Sequence, residues 1–349
     1  MKLMERIQGL KIWTMLLLAS STFASCNILD EEEADCAVYV SFKYDYNMKF
    51  ADAFAHSVKS VTLYAFGQDG KLAFQKTEEG SILAQEDYAM RLDEISRSEV
   101  DEYDFITWAG LADNESFTVP LLQTGVSTKE DLYCRLERKH GSRAEEGTAI
   151  VDQDLEALFH GQVNGSSLSR AAATNGNVEI SLTKNTNNIR IVLQHVSGEP
   201  VNVDNFEFTI TDENGLMNYD NSLLTDEVLT YYAWDKYDGY AGLGETEKQE
   251  GVTEINVAIA ELTVARLMAD ERPILRITNK LNGENVLTIP LVDYVLLVKG
   301  NYNREMSDQE YLDRQDEYNM TFFLDNGNRW MNAYIHINSW KIVLQHNDL

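Results

Sequence analysis

The sequence predicts an all-β protein, with short helices, built from antiparallel β-sandwiches. Apolar residues recur at every second position through many short segments, which is the period of a strand with one buried face. Gly, Asp and Asn turns separate those segments, and the 349 residues contain only 4 prolines. The order strand, loop, alternating strand, Asp-Gly turn begins at residue 38 and begins again at residue 189. Many short strands between turns suit packed antiparallel sheets better than a parallel sheet with helical crossovers.

The first 25 residues have the layout of a secretion signal. Lys2, Arg6 and Lys11 form a basic start, and residues 12–19 form an apolar core. Ala24 and Ser25 supply the small residues a signal peptidase needs beside its cut. The apolar core is far shorter than the roughly 20 residues of a membrane-spanning helix. A cysteine directly after the small residues is the bacterial lipoprotein signature. Cys26 is therefore expected to become the mature first residue, acylated on sulfur and nitrogen. Each buried CH₂ contributes about 0.8 kcal/mol, so two or three acyl chains hold firmly where one does not. Residues 26–35 form a lipidated acidic tether, because Asp30, Glu31, Glu32, Glu33 and Asp35 leave no core-forming run.

Strands are predicted at 38–44, at 58–66, and at 71–76 after the turn of Gly67 and Gly70. In the first of these Val38, Val40 and Phe42 share one face, while Tyr39, Ser41 and Lys43 share the other. Another strand is predicted at 103–108. Residues 127–137 have helical spacing behind Ser127, Thr128 and Glu130, the pattern of a capping box. A short apolar segment at 155–161 leads into a loop rich in Gly, Ser and Ala at 165–176, the expected soft spot. A strand resumes at 178–182. The polar run 184–188 is the expected boundary between an N-terminal sandwich domain, 36–185, and a C-terminal one, 186–349.

In the second half Ile189, Ile191 and Leu193 alternate as the first strand does. Residues 203–211 alternate through Phe206, Phe208 and Ile210 and stop at the turn of Asp212, Asn214 and Gly215. Strands follow near 254–260, 274–279 and 286–289. Two helical segments are predicted at 291–298 and 307–318. Three apolar strands close the chain, at 320–324, 333–337 and 341–345.

A formal net charge of −28 argues against a nucleic-acid surface, which needs clustered Lys and Arg. It also holds the body away from an anionic membrane, leaving attachment to the lipid. With Cys26 used by lipid, Cys36 and Cys134 remain in an oxidising compartment, either as a disulfide or as two buried thiols. The sequence carries no nucleophile elbow, metalloprotease pair, phosphate loop or C-x-x-C pair. His56, His140, His160, His195, His336 and His346 have no ligand spacing. No catalytic residue, metal or cofactor is expected. The turn at Asp212 lacks the ligand spacing of a calcium loop. The aromatic run Tyr231, Tyr232 and Trp234 suits a sandwich core or edge as well as a sugar platform.

Several stretches together resemble a known family. They are the alternating run 38–50, the strand 58–66 with Asp69 and Gly70, the segment 104–110 with Trp108 and Gly110, residues 158–161, residues 182–187, and the terminal 337–344 with Trp340. The chain resembles the fimbrial anchor subunits of Bacteroidales, the major and minor fimbrium anchor proteins of the type V pilus class. The acidic run after Cys26 is similar to the export tags of Bacteroidetes surface lipoproteins. The resemblance implies two transthyretin-like β-sandwich domains and outer-membrane attachment through lipid. It also implies a fimbrial shaft subunit as partner, with the chain anchoring the shaft and limiting its length.

The family's polymerising subunits lose their first strand to an arginine-specific protease, and another subunit's terminal strand fills the groove. Between Cys26 and Arg91 this chain contains no arginine. The strand of Val38, Val40 and Phe42 is therefore expected to be retained, keeping the lipid joined to the fold. Assembly would proceed by strand addition at an unpaired edge. Lys341, Ile342, Val343, Leu344 and Gln345 form either the donated strand or the permanent last strand of the second domain. The alternative function is a surface lipoprotein adhesin, at a fimbrial tip or on a glycan.

Overall fold

The computed structural model describes residues 37–140, 149–168, 176–241, 255–300, 303–331 and 334–343. The first half contains β1 (Val38–Lys43), α1 (Phe54–Ser57), β2 (Ser60–Phe66), β3 (Leu72–Glu79), β4 (Met90–Leu92) and β5 (Asp104–Ala109). It continues with β6 (Phe117–Thr118), β7 (Tyr133–Leu136), β8 (Ala149–Val151), β9 (Phe159–Asn164), β10 (Asn177–Ser181) and β11 (Thr183–Lys184). The second half opens with β12 (Thr186–His195), β13 (Phe206–Asp212), β14 (Leu216–Asn218), β15 (Leu229–Tyr232), β16 (Asp235–Ala241) and β17 (Ile255–Ala265). Then come β18 (Ile274–Asn279), β19 (Asn285–Pro290), α2 (Leu291–Leu296), α3 (Asp308–Arg314), β20 (Glu317–Leu324), β21 (Tyr334–Ile337) and β22 (Trp340–Val343).

Period-two patterning decides the layers. Val38, Val40 and Phe42 point inward from the sheet β10-β1-β4. They meet Val61, Leu63 and Phe105 of the facing sheet β11-β9-β5-β2-β3. In the second half Ile189, Ile191 and Leu193 of β16-β17-β12-β20-β21-β22 meet Phe206, Phe208 and Ile277 of β19-β18-β13-β15-β8. The protein is thus an all-β sandwich fold, antiparallel except where β1 pairs β10, β12 pairs β20 and β15 pairs β8.

The repetition extends from pattern to topology. β1 lies between a parallel neighbour, β10, and an antiparallel one, β4. β12 lies likewise between parallel β20 and antiparallel β17. The facing sheets match as β9-β5-β2-β3 and β19-β18-β13-β15. The halves are also interleaved. β6 and β7 build a small sheet with β14 of the second half, and β8 extends the second half's sheet beside β15. The larger core accordingly mixes Trp108, Leu136 and Val151 with Ile210 and Met217.

Two expectations are corrected. Residues 127–137 are not a helix: one 3₁₀ turn at Lys129–Asp131 leads directly into β7. Asp131, not Glu130, closes the turn, its carboxylate accepting the Thr128 N–H at 2.8 Å. Leu132, Cys134 and Leu136 are all buried, a period of two, and β7 is paired on both sides, by β6 and β14. Those ladders outweigh local helical propensity. The helix expected at 307–318 ends at Arg314, because Tyr318, Met320, Phe322 and Leu324 alternate into the core as β20. At its start the Ser307 hydroxyl caps α3 by accepting the Glu310 N–H at 3.0 Å.

Candidate assembly site

β1 fills the central position of its sheet. β1 is bonded on both sides, with Val40 opposite Val178 of β10 and opposite Met90 of β4. Val38 and Val40 are fully buried and Phe42 is 4% exposed. Burying three such side chains contributes about 1.5–3 kcal/mol each. β4 covers only Val38 to Val40, so β1 outruns it by half its length. Beyond that point the Phe42 ring stacks with Phe54 at 5.8 Å and Tyr88 at 6.4 Å. The Tyr44 N–H is taken by the Asp52 carboxylate at 2.9 Å, and the Tyr44 carbonyl accepts the Ala53 N–H.

A cavity of about 590 Å³ opens over this sheet, lined among others by Tyr39, Lys43, Phe54, Tyr88, Asn177 and Glu179. Across its floor Lys43 and Glu179 form an ion pair at 2.6 Å, which pushes the Lys43 pKa above the usual lysine range.

At the other end of the chain, β22 pairs with β21 from Tyr334↔Val343 to Ile337↔Trp340 and forms the outer edge of its sheet. Lys341, Ile342 and Val343 lie in this edge strand. Leu344 and Gln345 lie outside the described residues, as do Cys26 and Cys36. Cys134 is a buried free thiol on β7, and burial pushes its pKa up. The soft-spot loop is described up to residue 168 and from residue 176.

Residues 32–346 match the model of the family described as fimbrillin-A associated anchor proteins Mfa1 and Mfa2. The chain belongs to this fimbrial anchor family. Among solved structures, the anchor-family chain is similar to a candidate polysaccharide-binding protein from Bacteroides thetaiotaomicron VPI-5482. That match has 31% identity, covers 90% of this chain and 100% of that one, and has a TM-score of 0.72. A candidate adhesin from the same organism matches at 32% identity over 88% and 97% of the two chains, with a TM-score of 0.73. The fimbrial anchor protein Mfa2 from Porphyromonas gingivalis shares the fold, at 16% identity over 88% and 99%, with a TM-score of 0.60. Among curated proteins no match is found.

What the sequence did not reveal in this anchor-family chain is the joint between its halves. Arg314 lies over the rings of Tyr46 and Phe50, 4.0 and 4.8 Å from their centroids. Its Nη1 also donates to the Asp45 carbonyl, and its own carbonyl accepts the Met48 N–H at 3.1 Å. Nearby, Lys184 pairs with Asp316 at 2.6 Å. Asn185 and Asn221 exchange side-chain amide bonds at 2.6 and 3.2 Å. Within the second half, beside this joint, Arg266 grips Asp313 through two bonds of 2.7 Å, and both are almost fully buried. No spacing in the sequence links residues 45–50 to 314, or 266 to 313.

Two of the side chains singled out for chemistry, His160 and Tyr231, are taken up by packing. His160 packs edge-on against Trp108 and bonds the Tyr219 carbonyl at 2.8 Å, and burial lowers its pKa to about 4. Tyr231 is fully buried, its hydroxyl donating to Asn214 Oδ1 at 2.5 Å, while Trp234 of the same run stays 40% exposed. Asp212, in the turn after β13, is 7% exposed with Oδ2 unpartnered. Burial raises its pKa to about 7, with Glu271 and Glu213 adding to the shift. Among the described residues no group of His, Cys, Asp and Glu is arranged to hold a metal ion. No helix among them is long and apolar enough to cross a membrane.

Proposed function

We propose that this chain is a lipid-anchored structural subunit that fixes a fimbria to the outer membrane and limits its length. In this reading the acyl groups sit on Cys26, the acidic tether spans residues 26–35, and two sandwich domains, 36–185 and 186–349, form the rigid body. The shaft subunit joins by β-strand addition. Membership of the fimbrial anchor family makes fimbrial association the starting point. What supports the rest is the absence of a cleavable arginine ahead of the first strand. The chain has no arginine from residue 27 to residue 90, and β1 lies in the middle of its sheet. A subunit that keeps this strand cannot offer that groove to the next subunit, so growth by that route stops at it, and its lipid stays joined to the fold.

Deleting the gene and imaging the cells tests this. Fimbriae shed into the medium or abnormally long support the anchor, and Cys26→Ala should reproduce the shedding while leaving the fold intact. Attached fimbriae of normal length in the deletion strain would refute it. Similarity to a candidate polysaccharide-binding protein and to a candidate adhesin favours a second reading, surface adhesion. It predicts normal fimbriae with lost adherence in the same strain.

A further inference from the structure

The two halves repeat one topology, so each position in one has an equivalent in the other. Val38, Val40 and Phe42 of β1 correspond to Ile189, Ile191 and Leu193 of β12, the inward faces of the two central strands. Val40 lies opposite Val178, and Ile191 lies opposite Met320. Val178 is therefore the equivalent of Met320, and Asn177, Glu179 and Ser181 are the equivalents of Asn319, Thr321 and Phe323. In the second half all three of these positions are engaged by the chain that follows β20. The Asn319 carbonyl accepts the Asn338 N–H at 2.7 Å, Thr321 pairs with His336, and the Phe323 carbonyl accepts the Met331 N–H at 2.8 Å. In the first half β10 is the outermost strand of its sheet.

The backbone of β10 confirms which groups this leaves. Tyr39 N–H donates to the Gly176 carbonyl and Leu182 N–H to the Lys43 carbonyl, both at 2.7 Å. The ladder with β1 therefore runs through Val178 and Ile180, and alternation turns the backbone of Asn177, Glu179 and Ser181 outward. β9 closes the Ser181 end, where a Cβ on Gly161 would stand 2.7 Å from the Ser181 carbonyl oxygen. Asn177 to Glu179 is the usable length. The 590 Å³ cavity borders it, with Asn177 and Glu179 in its lining and the Phe54 and Tyr88 rings in its wall.

We propose that the β10 edge is the docking site for an extended strand of the fimbrial shaft subunit, antiparallel to β10 as β21 is to β20. This rests on the anchor reading above. The occupant comes from another chain because the parts of this sequence outside the described residues offer no suitable strand. Residues 30–35 are nearly all acidic, and residues 141–148, 169–175, 242–254 and 344–349 have no apolar alternation. A side chain of the incoming strand enters the neighbouring cavity, so backbone bonds supply attachment and the cavity selects the sequence.

The test uses the full-length protein in the cells that make it. Glu179→Pro removes an outward N–H but leaves the Val178 and Ile180 bonds to β1, a placement that edge strands tolerate. Its expected phenotype is fimbrial shedding equal to that of the deletion strain, with the melting temperature of Glu179→Ala, which loses only the ion pair to Lys43 and should keep its fimbriae. In parallel, a photo-crosslinking residue at Asn177 should yield an adduct that maps to an extended segment of the shaft subunit. It decides the matter if Glu179→Pro does not fold. Retained fimbriae in a folded Glu179→Pro strain, an adduct with a second copy of this chain, or no adduct at Asn177 would overturn the proposal. A deletion strain that keeps its fimbriae would overturn the anchor reading as well.

Discussion

Asp212 and His160 are the residues whose burial sets how the protein responds to pH. The folded state raises Asp212 from 3.8 to about 7, so it holds a proton that the unfolded chain releases. The stability this gives is complete below pH 3.8 and is lost as pH rises through 7. His160 is shifted the other way, from 6.5 to about 4, so the unfolded chain binds the proton more tightly. Its contribution is complete above pH 6.5 and is lost as pH falls toward 4. Between pH 4 and 6.5 the two slopes oppose each other and nearly cancel, and above pH 6.5 the loss from Asp212 alone remains. Asp212→Asn, which keeps the Oδ1 acceptor for the Glu213 N–H, should raise the melting temperature most at pH 8 and by less at pH 5. A gain on the order of 1–4 kcal/mol is expected at the higher pH, at about 1.4 kcal/mol per pKa unit. Thermal melts of both proteins across pH 5–8 would check this. Neither shift was legible in the sequence, since burial depends on what the fold brings around each residue.

Among the elements, β1 bears the greatest burden, and its face was readable from alternation alone. Truncating Phe42 to Ala should cost about 3–5 kcal/mol, measured by urea denaturation, because the ring is buried between Phe54 and Tyr88. Long alternating strands such as β12 and β13 were equally readable, because each carries its own period. Short strands were not. β4 and β8 have three residues each, too few to display a period, and they exist because β1 and β15 offer them a ladder. β7 was misread for a related reason: its turn has capping residues, yet pairing on both sides decides its state. The terminal segment was readable as a strand, but its place beside β21 at the edge of its sheet required the topology.

At the scale of the whole molecule, the interleaving of strands and the polar joint make the halves depend on each other. Asp313→Ala would leave Arg266 buried without its partner and should destabilise the protein by about 3–5 kcal/mol. The loss should appear as one cooperative transition in calorimetry, because β7 and β8 tie the first half to the sheets of the second. Two separate transitions would show that the halves melt independently. Sequence patterning exposed the repeat but not this interdependence, because the contacts join residues far apart in the chain. The parallel pairing of β1 with β10 has a mechanical side. With the proposed lipid anchor, tension would enter at the N-terminal end of β1, and the path to the second half leaves from the C-terminal end of β10. Two parallel strands pulled from opposite ends are loaded in shear, so their rungs resist together and do not open one by one like a zip. A fimbria tugged by flow would thus load the fold along its stiffest direction.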